Sequence, residues 1–216
     1  MNRVVKGNRR RSGIIAESND NDLLILASAS TARAALLRGA GLVFETRPSD
    51  VDESELKVEM KARGAEATAG ALAELKARHI AKQAPGALVI GADQMLDCHG
   101  DWLDKARDWD DAGAQLRLLR GRNHRLATAV CVVQDDTCLW AFTGAPRLKM
   151  RAFSDGFIDS YLEHAGDEAF GCVGAYRLEG LGAQLFEEIE GDYFTILGLP
   201  LLPLLEFLRT RGIVAS

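Results

Sequence analysis

The first long apolar run of the chain ends abruptly in small hydroxyl residues, and this change predicts a strand followed at once by a helix. Leu23 to Leu26 have the length of a buried strand, and residues 31–37 carry helix-forming side chains behind Ser30, a residue type that caps helices. A helix that begins directly after a strand presents backbone N–H groups and the positive end of its dipole, which together favour an anion. Arg33 either adds donors to that site or lies on a solvated helix face, and this stretch alone leaves both open.

Apolar runs and helical repeats alternate along most of the remaining chain, which predicts an α/β fold. The runs predict strands at residues 42–46, 87–92, 124–133, 137–143, 147–153 and 184–189. The three β-prone runs between residues 124 and 153 are separated by polar turns and indicate an antiparallel meander. The repeats predict helices at residues 65–83, 110–120, 154–164 and 199–209. The first of these helices has its predicted apolar positions at Leu72, Leu75, His79 and Ile80.

Polar residues near the ends of these elements are candidates for chemistry. The acidic turn of residues 48–53 is either a solvated helix start or a place where carboxylate oxygens hold a hard cation. The strand at 87–92 is predicted to stop at Asp93. Ligands of open α/β sheets gather at such carboxyl ends, and an aspartate there also serves as a plain turn residue. Lys76 and Lys105 are either phosphate ligands or solvated side chains.

Composition narrows the classes of function without choosing one. The chain has 216 residues, enough for one domain or one domain with two lobes, and its net charge of −5 gives no support for binding nucleic acid. Its four cysteines and four histidines lack the spacing of a metal site, so free thiols in a reducing cytoplasm are expected. The richest apolar stretch, residues 196–205, is too short to span a bilayer and contains two prolines.

The start of the chain differs from the rest. Basic and polar residues with almost no apolar periodicity predict a disordered basic N-terminal extension at residues 1–21, ahead of a single domain at 22–216. The basic charge also suits a targeting peptide. The stretch, however, lacks the apolar core of a secretory signal and contains Glu17 and Asp20.

Five segments in one order give the chain a family resemblance that no single motif carries. They are LILASASTAR at 24–33, PSDVDE at 48–53, LAELKA at 72–77, VIGADQ at 89–94 and GAYRLEGLGAQLFEEIEGDYFTILGLPL at 174–201. On these segments the chain, from about Leu23 to Ile213, resembles the Maf family of nucleoside triphosphate pyrophosphatases. The resemblance implies a Maf/ITPase-like, two-lobed α/β fold around a twisted mixed β-sheet with flanking helices.

The resemblance also implies a reaction, in which water attacks the α-phosphorus of a nucleoside triphosphate and releases the monophosphate and pyrophosphate. A divalent metal cation, Mg, Mn or Co, is required. By position, Asp93 matches the catalytic proton acceptor, Glu53 joins Asp93 on the metal side, and the matches for phosphate binding are Ser28, Ser30, Arg33, Lys76 and Lys105. Cations are needed because negative charge builds on the pyrophosphate leaving group, and a metal assists a carboxylate in activating water.

The resemblance further suggests a homodimer whose partner is the nucleotide. The expectation of a cytoplasmic protein comes from the cysteines, and the expectation of no nucleic-acid or membrane partner comes from the net charge and the short apolar runs. A second hypothesis comes from the association of the family name with septum formation. It describes a nucleotide-binding regulator of cell division with little turnover. Retention of Asp93 and the matched basic residues favours the enzyme.

The resemblance ties base preference to three positions, Ala32, Gln94 and Glu179, and differs from the usual family pattern at Thr31 as well. Thr31 stands where the family usually has Pro, which leaves the helix start intact, and Ala32 replaces a bulky or basic residue at a position associated with base preference. Gln94 and Glu179 look like the 7-methyl-GTP branch, whereas the dTTP and UTP branch typically has Thr and Gln there. A carboxylate suits the N–H donors of guanine and the positive charge of an N7-methylated base. The expected substrate is therefore 7-methyl-GTP, with dTTP or UTP as the alternative.

Overall fold

The computed structural model describes residues 23–215 and confirms the α/β fold; the predicted extension at residues 1–21 lies outside this range. The strands within it are β1 (Leu24–Leu26), β2 (Glu45–Thr46), β3 (Leu88–Cys98), β4 (Asp101–Leu103), β5 (Asn123–Gln134), β6 (Thr137–Gly144), β7 (Arg147–Met150) and β8 (Phe186–Glu190). The α-helices are α1 (Thr31–Gly39), α2 (Ser54–Met60), α3 (Ala65–Ala81), α4 (Trp109–Leu119), α5 (Asp155–Ala165), α6 (Tyr193–Ile196) and α7 (Leu201–Thr210). Short 3₁₀ helices occupy Lys61–Arg63, Gly166–Phe170 and Leu181–Leu185.

These strands form one mixed sheet in the spatial order β2-β1-β3-β5-β7-β8, with β4 paired to β3 and β6 paired to β5. Consecutive residues of β3 belong to different apolar clusters, as the alternation of a strand requires. Val89 packs with α3 on one face of the sheet, and Ile90 packs with α1 and α7 on the other. A third cluster, which includes Leu116 of α4 and Ile158 of α5, forms the core of a second lobe. The flanking helices and two lobes agree with the predicted architecture.

The strand-to-helix unit at the start of the described chain confirms the prediction from the apolar run. All residues of β1 are buried. Ser30 is the N-cap of α1, since its Oγ accepts a hydrogen bond from the backbone N–H of Arg33 at 3.3 Å. The chain leaves this helix at Gly41, whose φ of 80° favours glycine. The side chain of Arg33 therefore projects from the first turn of a capped helix directly beyond β1.

Strand β3 is longer than predicted and passes straight through Asp93. The predicted stop at Asp93 is wrong because β5 remains paired with β3, antiparallel, over residues 88–97. The opposite edge of β3 is different: β1 pairs with it in parallel only as far as Ile90, and β4 pairs with it from Leu96. Within the described part of the chain, residues 91–95 therefore have no strand on this edge, and Asp93 lies beside the gap.

Helix α3 lies so close to β3 that glycine is required at the contact. A Cβ atom built on Gly91 would lie 2.1 Å from the carbonyl oxygen of Ala73 and 2.8 Å from the Cβ of Ala77. Small side chains on both elements permit this approach. It brings Lys76, which follows Ala73 by about one turn, over Asp93, which follows Gly91 by two residues on the same face of the strand.

The predicted apolar face of α3 is only partly correct. Leu72 and Ile80 are buried, but His79 is exposed and Leu75 is partly exposed. The buried face is completed by alanines, which the sequence pattern had not singled out because alanine is common on every face of a helix.

The remaining predictions hold with changes at the ends of elements. The helices predicted at 110–120, 154–164 and 199–209 correspond to α4, α5 and α7, and Pro203 lies in the first turn of α7, where it is tolerated. The predicted meander is wrong in its pairing, because β7 pairs with the start of β5 and not with β6. The strand predicted at 42–46 shortens to the two residues of β2, and the strand at 184–189 becomes β8.

Candidate active site

A cleft of about 530 Å³ opens beside the gap in the edge of β3. Its walls come from the β1–α1 turn, the acidic turn with α2, α3, β3 and three segments distant in sequence, at residues 104–105, 171–173 and 197–198. The cleft brings together nine of the ten residues that the sequence singled out: Ser28, Ser30, Ala32, Arg33, Glu53, Lys76, Asp93, Gln94 and Lys105. The tenth, Glu179, is not among the lining residues.

Arg33 is fixed in the cleft by hydrogen bonds to uncharged oxygens. Its Nε donates to the Gly198 carbonyl at 2.8 Å, and its Nη1 donates to Ser28 Oγ at 3.1 Å and to the Ala92 carbonyl at 2.9 Å. The Ala92 carbonyl lies in the edge gap of β3, where no neighbouring strand among the described residues supplies an N–H group. The Arg33 guanidinium donates to this carbonyl instead. The second terminal nitrogen, Nη2, donates to no atom of residues 23–215 and is left for a ligand.

The electrostatic setting of Arg33 favours an anion. Burial lowers the pKa of its guanidinium from the ordinary value, and the charges of Asp93 and Glu53 oppose that effect. A buried cation has lost part of its hydration, so a negative ligand that reaches it lowers its free energy. The N-terminus of α1 faces the same cleft, and the backbone N–H of its cap residue Ser30 donates to Ser28 Oγ at 3.2 Å.

Five charged side chains form a continuous row of ion pairs across the cleft. Lys76 Nζ lies 2.5 Å from Asp93 Oδ1 and 2.7 Å from Glu53 Oε1. The other oxygen of Glu53, Oε2, lies 3.4 Å from Lys57 Nζ, which in turn contacts Asp104 Oδ1 at 2.7 Å. The row runs from a side chain 9% exposed, Asp93, to one 79% exposed, Asp104.

The row changes the titration of its middle members. Burial raises the pKa of the Glu53 carboxyl, but hydrogen bonds and charge from Lys76 and Lys57 outweigh burial, so this pKa lies below its ordinary value. Burial lowers the pKa of Lys57, and Asp104 together with Glu53 outweighs it, so this pKa lies above its ordinary value. Both groups are therefore charged at neutral pH, and the middle of the row holds an ionised carboxylate beside an ionised amine.

The three residues predicted to set base preference occupy different surroundings, and Ala32 lines the cleft in the first turn of α1. Gln94 lines the cleft, and its Nε2 donates to Thr128 Oγ1 at 2.9 Å and to the carbonyls of Thr195 and Ile196 at 3.2 and 3.0 Å. Because these acceptors take the amide hydrogens, Gln94 has only its acceptor oxygen Oε1 to offer a ligand.

Glu179 faces a different partner. Its Oε1 accepts from Arg177 Nε at 3.0 Å and from Arg177 Nη2 at 2.9 Å. Glu179 is not among the lining residues, so of the three base-preference candidates Ala32 and Gln94 are positioned beside the phosphate-binding candidates and Glu179 is not.

The sequence did not identify several lining residues. Lys57 and Asp104 complete the row of ion pairs, and Cys172 and Gly198 line the far wall. One local signal was available, since Lys57 follows Glu53 by four residues and such pairs face each other on a helix. The partnership with Asp104, 47 positions away, has no local signal.

The fold and this cleft define an α/β protein with a candidate active site for an anionic ligand. A family model described as Maf-like protein matches residues 23–211. The chain belongs to the Maf family.

Named relatives cover nearly the whole chain. A nucleoside triphosphate pyrophosphatase of Paramagnetospirillum magneticum is 53% identical over 190 residues, which are 87% of this chain and 98% of the relative. A protein of the same name from Granulibacter bethesdensis is 52% identical over 86% of this chain and 95% of its own length. A 7-methyl-GTP pyrophosphatase of Rhizobium meliloti is 49% identical over 89% of this chain and 98% of its own length.

Among residues 23–215, no helix has both the length and the apolar character needed to cross a bilayer. All four cysteines are free thiols. The homodimer and the cytoplasmic location expected from the sequence stay predictions.

Proposed function

We propose that this chain hydrolyses a nucleoside triphosphate to the nucleoside monophosphate and pyrophosphate. The observation that carries the proposal is the meeting, in one cleft, of the Asp93 carboxylate with the Arg33 guanidinium and the N-terminus of α1. A carboxylate beside an anion site is the combination that activates water against a phosphorus atom while the leaving phosphates are held. Relatives about half identical to this chain carry the name of this activity.

The phosphate chain is assigned to the basic wall of the cleft. Arg33 offers Nη2, the start of α1 offers backbone N–H groups, and Lys105 lines the cleft with an exposed side chain. Lys105 is held by its backbone, which forms an isolated β-bridge with Val173 across the cleft wall. These groups offset the charge that builds on pyrophosphate as it leaves.

Asp93 is assigned as the proton acceptor for the attacking water. Lys76 contacts its Oδ1, and no side chain of the described residues donates to its Oδ2, which is therefore available to a water molecule. Lys76 also fixes the carboxylate relative to Glu53, so the acceptor oxygen is held in one orientation before the nucleotide arrives.

The carboxylates fit a divalent cation that arrives together with the nucleotide. Glu53 and Asp93 supply hard oxygen donors, but Lys76 Nζ already lies between them, and residues 23–215 contain no group of three acidic, histidine or cysteine side chains placed to hold an ion. Mg²⁺ commonly binds through one or two carboxylates and the substrate phosphates. When bound, such an ion lowers the pKa of a coordinated water. Calorimetry should therefore show Mn²⁺ binding with a non-hydrolysable nucleotide and none without it; tight binding to the protein alone would contradict this assignment.

We further propose 7-methyl-GTP as the preferred substrate. Gln94 presents an acceptor oxygen, which suits the N–H donors of guanine, and one relative at 49% identity is named a 7-methyl-GTP pyrophosphatase. Glu179 pairs with Arg177 through Oε1 and is not among the residues that line the cleft, so the exchange Glu179→Gln tests whether it contributes to base selection. It should shift the ratio of kcat/KM values towards UTP, and an unchanged ratio would remove Glu179 from base selection.

A panel of nucleoside triphosphates with pyrophosphate detection tests the proposed function. Release of pyrophosphate and monophosphate in equal amounts is expected, with 7-methyl-GTP ahead of dTTP and UTP. Preference for dTTP or UTP would assign the chain to the other branch. Asp93→Asn preserves shape and removes the proton acceptor, so it should lower kcat by about 10²–10⁴-fold. Turnover by Asp93→Asn at the parent rate would show that another group accepts the proton.

A further inference from the structure

The ion pair between Lys57 and Asp104 forms the outer end of the row across the cleft. Lys57 lies on α2, a helix with no buried residue, and reaches over the cleft to Asp104 in the segment that follows β4. Its side chain is 27% exposed, whereas that of Lys76 at the inner end is 13% exposed. Lys57 lines the same cleft as Arg33 and Lys105.

The contact between Lys57 and Asp104 differs from the inner contacts in how easily it breaks. Asp104 is 79% exposed, so its carboxylate can return to water with little loss, and ion pairs at this level of exposure contribute little net stability. Lys57 has less freedom, because Glu53 Oε2 also holds it, at 3.4 Å. A competing anion would therefore displace Asp104 and leave the ammonium of Lys57 in place.

Lys57 and a phosphate are well matched. A terminal phosphate carries up to two negative charges and three acceptor oxygens, compared with one charge on the carboxylate of Asp104. It therefore attracts a partly exposed ammonium more strongly than Asp104 does. Lys57 lines the cleft from α2, beside the acidic turn, whereas Arg33 lines it from α1.

We propose that Lys57 is a further phosphate-binding residue and that Asp104 is an internal competitor, which neutralises Lys57 until a polyphosphate displaces it. The inference rests on the proposed function for its substrate class, a nucleoside triphosphate, but it concerns binding and not turnover. It predicts that the two partners of this ion pair have opposite effects on ligand affinity: removing Lys57 weakens binding, and removing the charge of Asp104 tightens it.

The test is calorimetric titration with inorganic tripolyphosphate, with Mg²⁺ present and ionic strength fixed near 0.15 M because exposed charges are screened by salt. Lys57→Met should weaken binding about tenfold, the effect of losing one charge-assisted hydrogen bond. Asp104→Asn should tighten binding about two- to fivefold, because the ligand then has no carboxylate to displace from Lys57. The double variant should bind like Lys57→Met, because Asp104 acts through Lys57.

Lys149→Met is the matched control. Lys149 on β7 pairs with Glu187 at 2.9 Å and is not among the residues that line the cleft, so this variant loses one charge and one exposed ion pair elsewhere. It should bind tripolyphosphate like the parent.

Three outcomes would overturn the inference: equal affinity for the parent and Lys57→Met, weaker binding by Asp104→Asn, or a gain from Asp104→Asn that persists without Lys57. The last would mean that Asp104 repels phosphate from a distance. Since tripolyphosphate binding needs no hydrolysis, these results stand apart from the triphosphate panel. A parent that binds tripolyphosphate but hydrolyses no nucleotide would refute the proposed function and leave the assignment of Lys57 intact.

Discussion

Replacing Gly91 by alanine tests whether the close approach of α3 to β3 is what places Lys76 on Asp93. The new Cβ would lie 2.1 Å from the Ala73 carbonyl oxygen, whereas real Cβ atoms keep contacts above 3.0 Å, so the helix and strand must separate by about 1 Å. The nearest atom belongs to backbone, and no flexible side chain can move aside to absorb the change.

Two quantities should change in Gly91→Ala. Overpacking of a close contact lowers the free energy of unfolding by about 1–3 kcal/mol. Lys76 moves with α3, and its contacts of 2.5 Å to Asp93 and 2.7 Å to Glu53 do not survive a displacement of this size unchanged. Misplacement of a catalytic group by about 1 Å lowers rates by about 10²-fold, so kcat for pyrophosphate release should fall by that factor.

The assay measures kcat at a temperature where circular dichroism shows the variant fully folded, and denaturant unfolding gives the stability. Gly156→Ala is the control: Gly156 is exposed in α5, and a Cβ there meets nothing within 4 Å. It should stabilise the protein by about 0.5–1 kcal/mol and leave kcat unchanged. If Gly91→Ala loses stability but keeps the parent kcat, the approach of α3 is a packing feature that does not position Lys76, and the reasoning fails.

Two other residues give predictions of different kinds. Arg33→Lys keeps the charge but loses the donors to the Ala92 and Gly198 carbonyls, so unfolding free energy should fall by about 1–3 kcal/mol and kcat/KM by about tenfold or more; parent values for both would contradict the assigned role. His124 is 2% exposed, and burial lowers its pKa from 6.5 to about 4. The unfolded histidine therefore binds a proton below pH 6.5 while the folded one stays neutral down to about 4, so its contribution to stability is complete above pH 6.5 and falls by about 3 kcal/mol towards pH 4. Urea unfolding across this range should show a smaller pH slope for His124→Phe than for the parent, and equal slopes would refute the assignment.

The parts of the fold that could be predicted from the sequence depend on neighbouring residues. The β1–α1 unit needs only an apolar run, a capping serine and a glycine beyond the helix, and each of these is local. The length of β3 depends on its partner β5, which begins 25 residues after β3 ends, and no pattern within β3 reports that pairing. For the same reason the sequence assigned β7 to the wrong neighbour.

The candidate site was predictable where a motif carries the chemistry and unpredictable where contacts between distant segments carry it. Asp93 and Arg33 were identified from their motifs, and the structure adds that Arg33 fills the edge gap of β3. Lys57 gave only the local signal of its four-residue spacing from Glu53, and Asp104 gave none, because the ion pair between them exists only once the fold joins their segments. Glu179 shows the reverse case, in which a motif position pairs with Arg177 and not with the cleft.

The charge of the cleft supports the proposal that a divalent cation accompanies the nucleotide. The lining contains four basic and four acidic side chains, which sum to no net charge: Arg33, Lys57, Lys76 and Lys105, with Asp50, Glu53, Asp93 and Asp104. A triphosphate, with about four negative charges, therefore meets a site that is neutral overall in a chain of net charge −5. Attraction must therefore come from how the charges are arranged. Arg33 donates only to uncharged acceptors, and Lys57 is paired with Asp104, whose side chain is 79% exposed. In the two proposals above, release of Asp104 and arrival of a divalent cation both add positive charge to the site, and both depend on the phosphate chain being present. For the same reason we expect the cleft without nucleotide to bind neither a metal ion nor a small anion tightly.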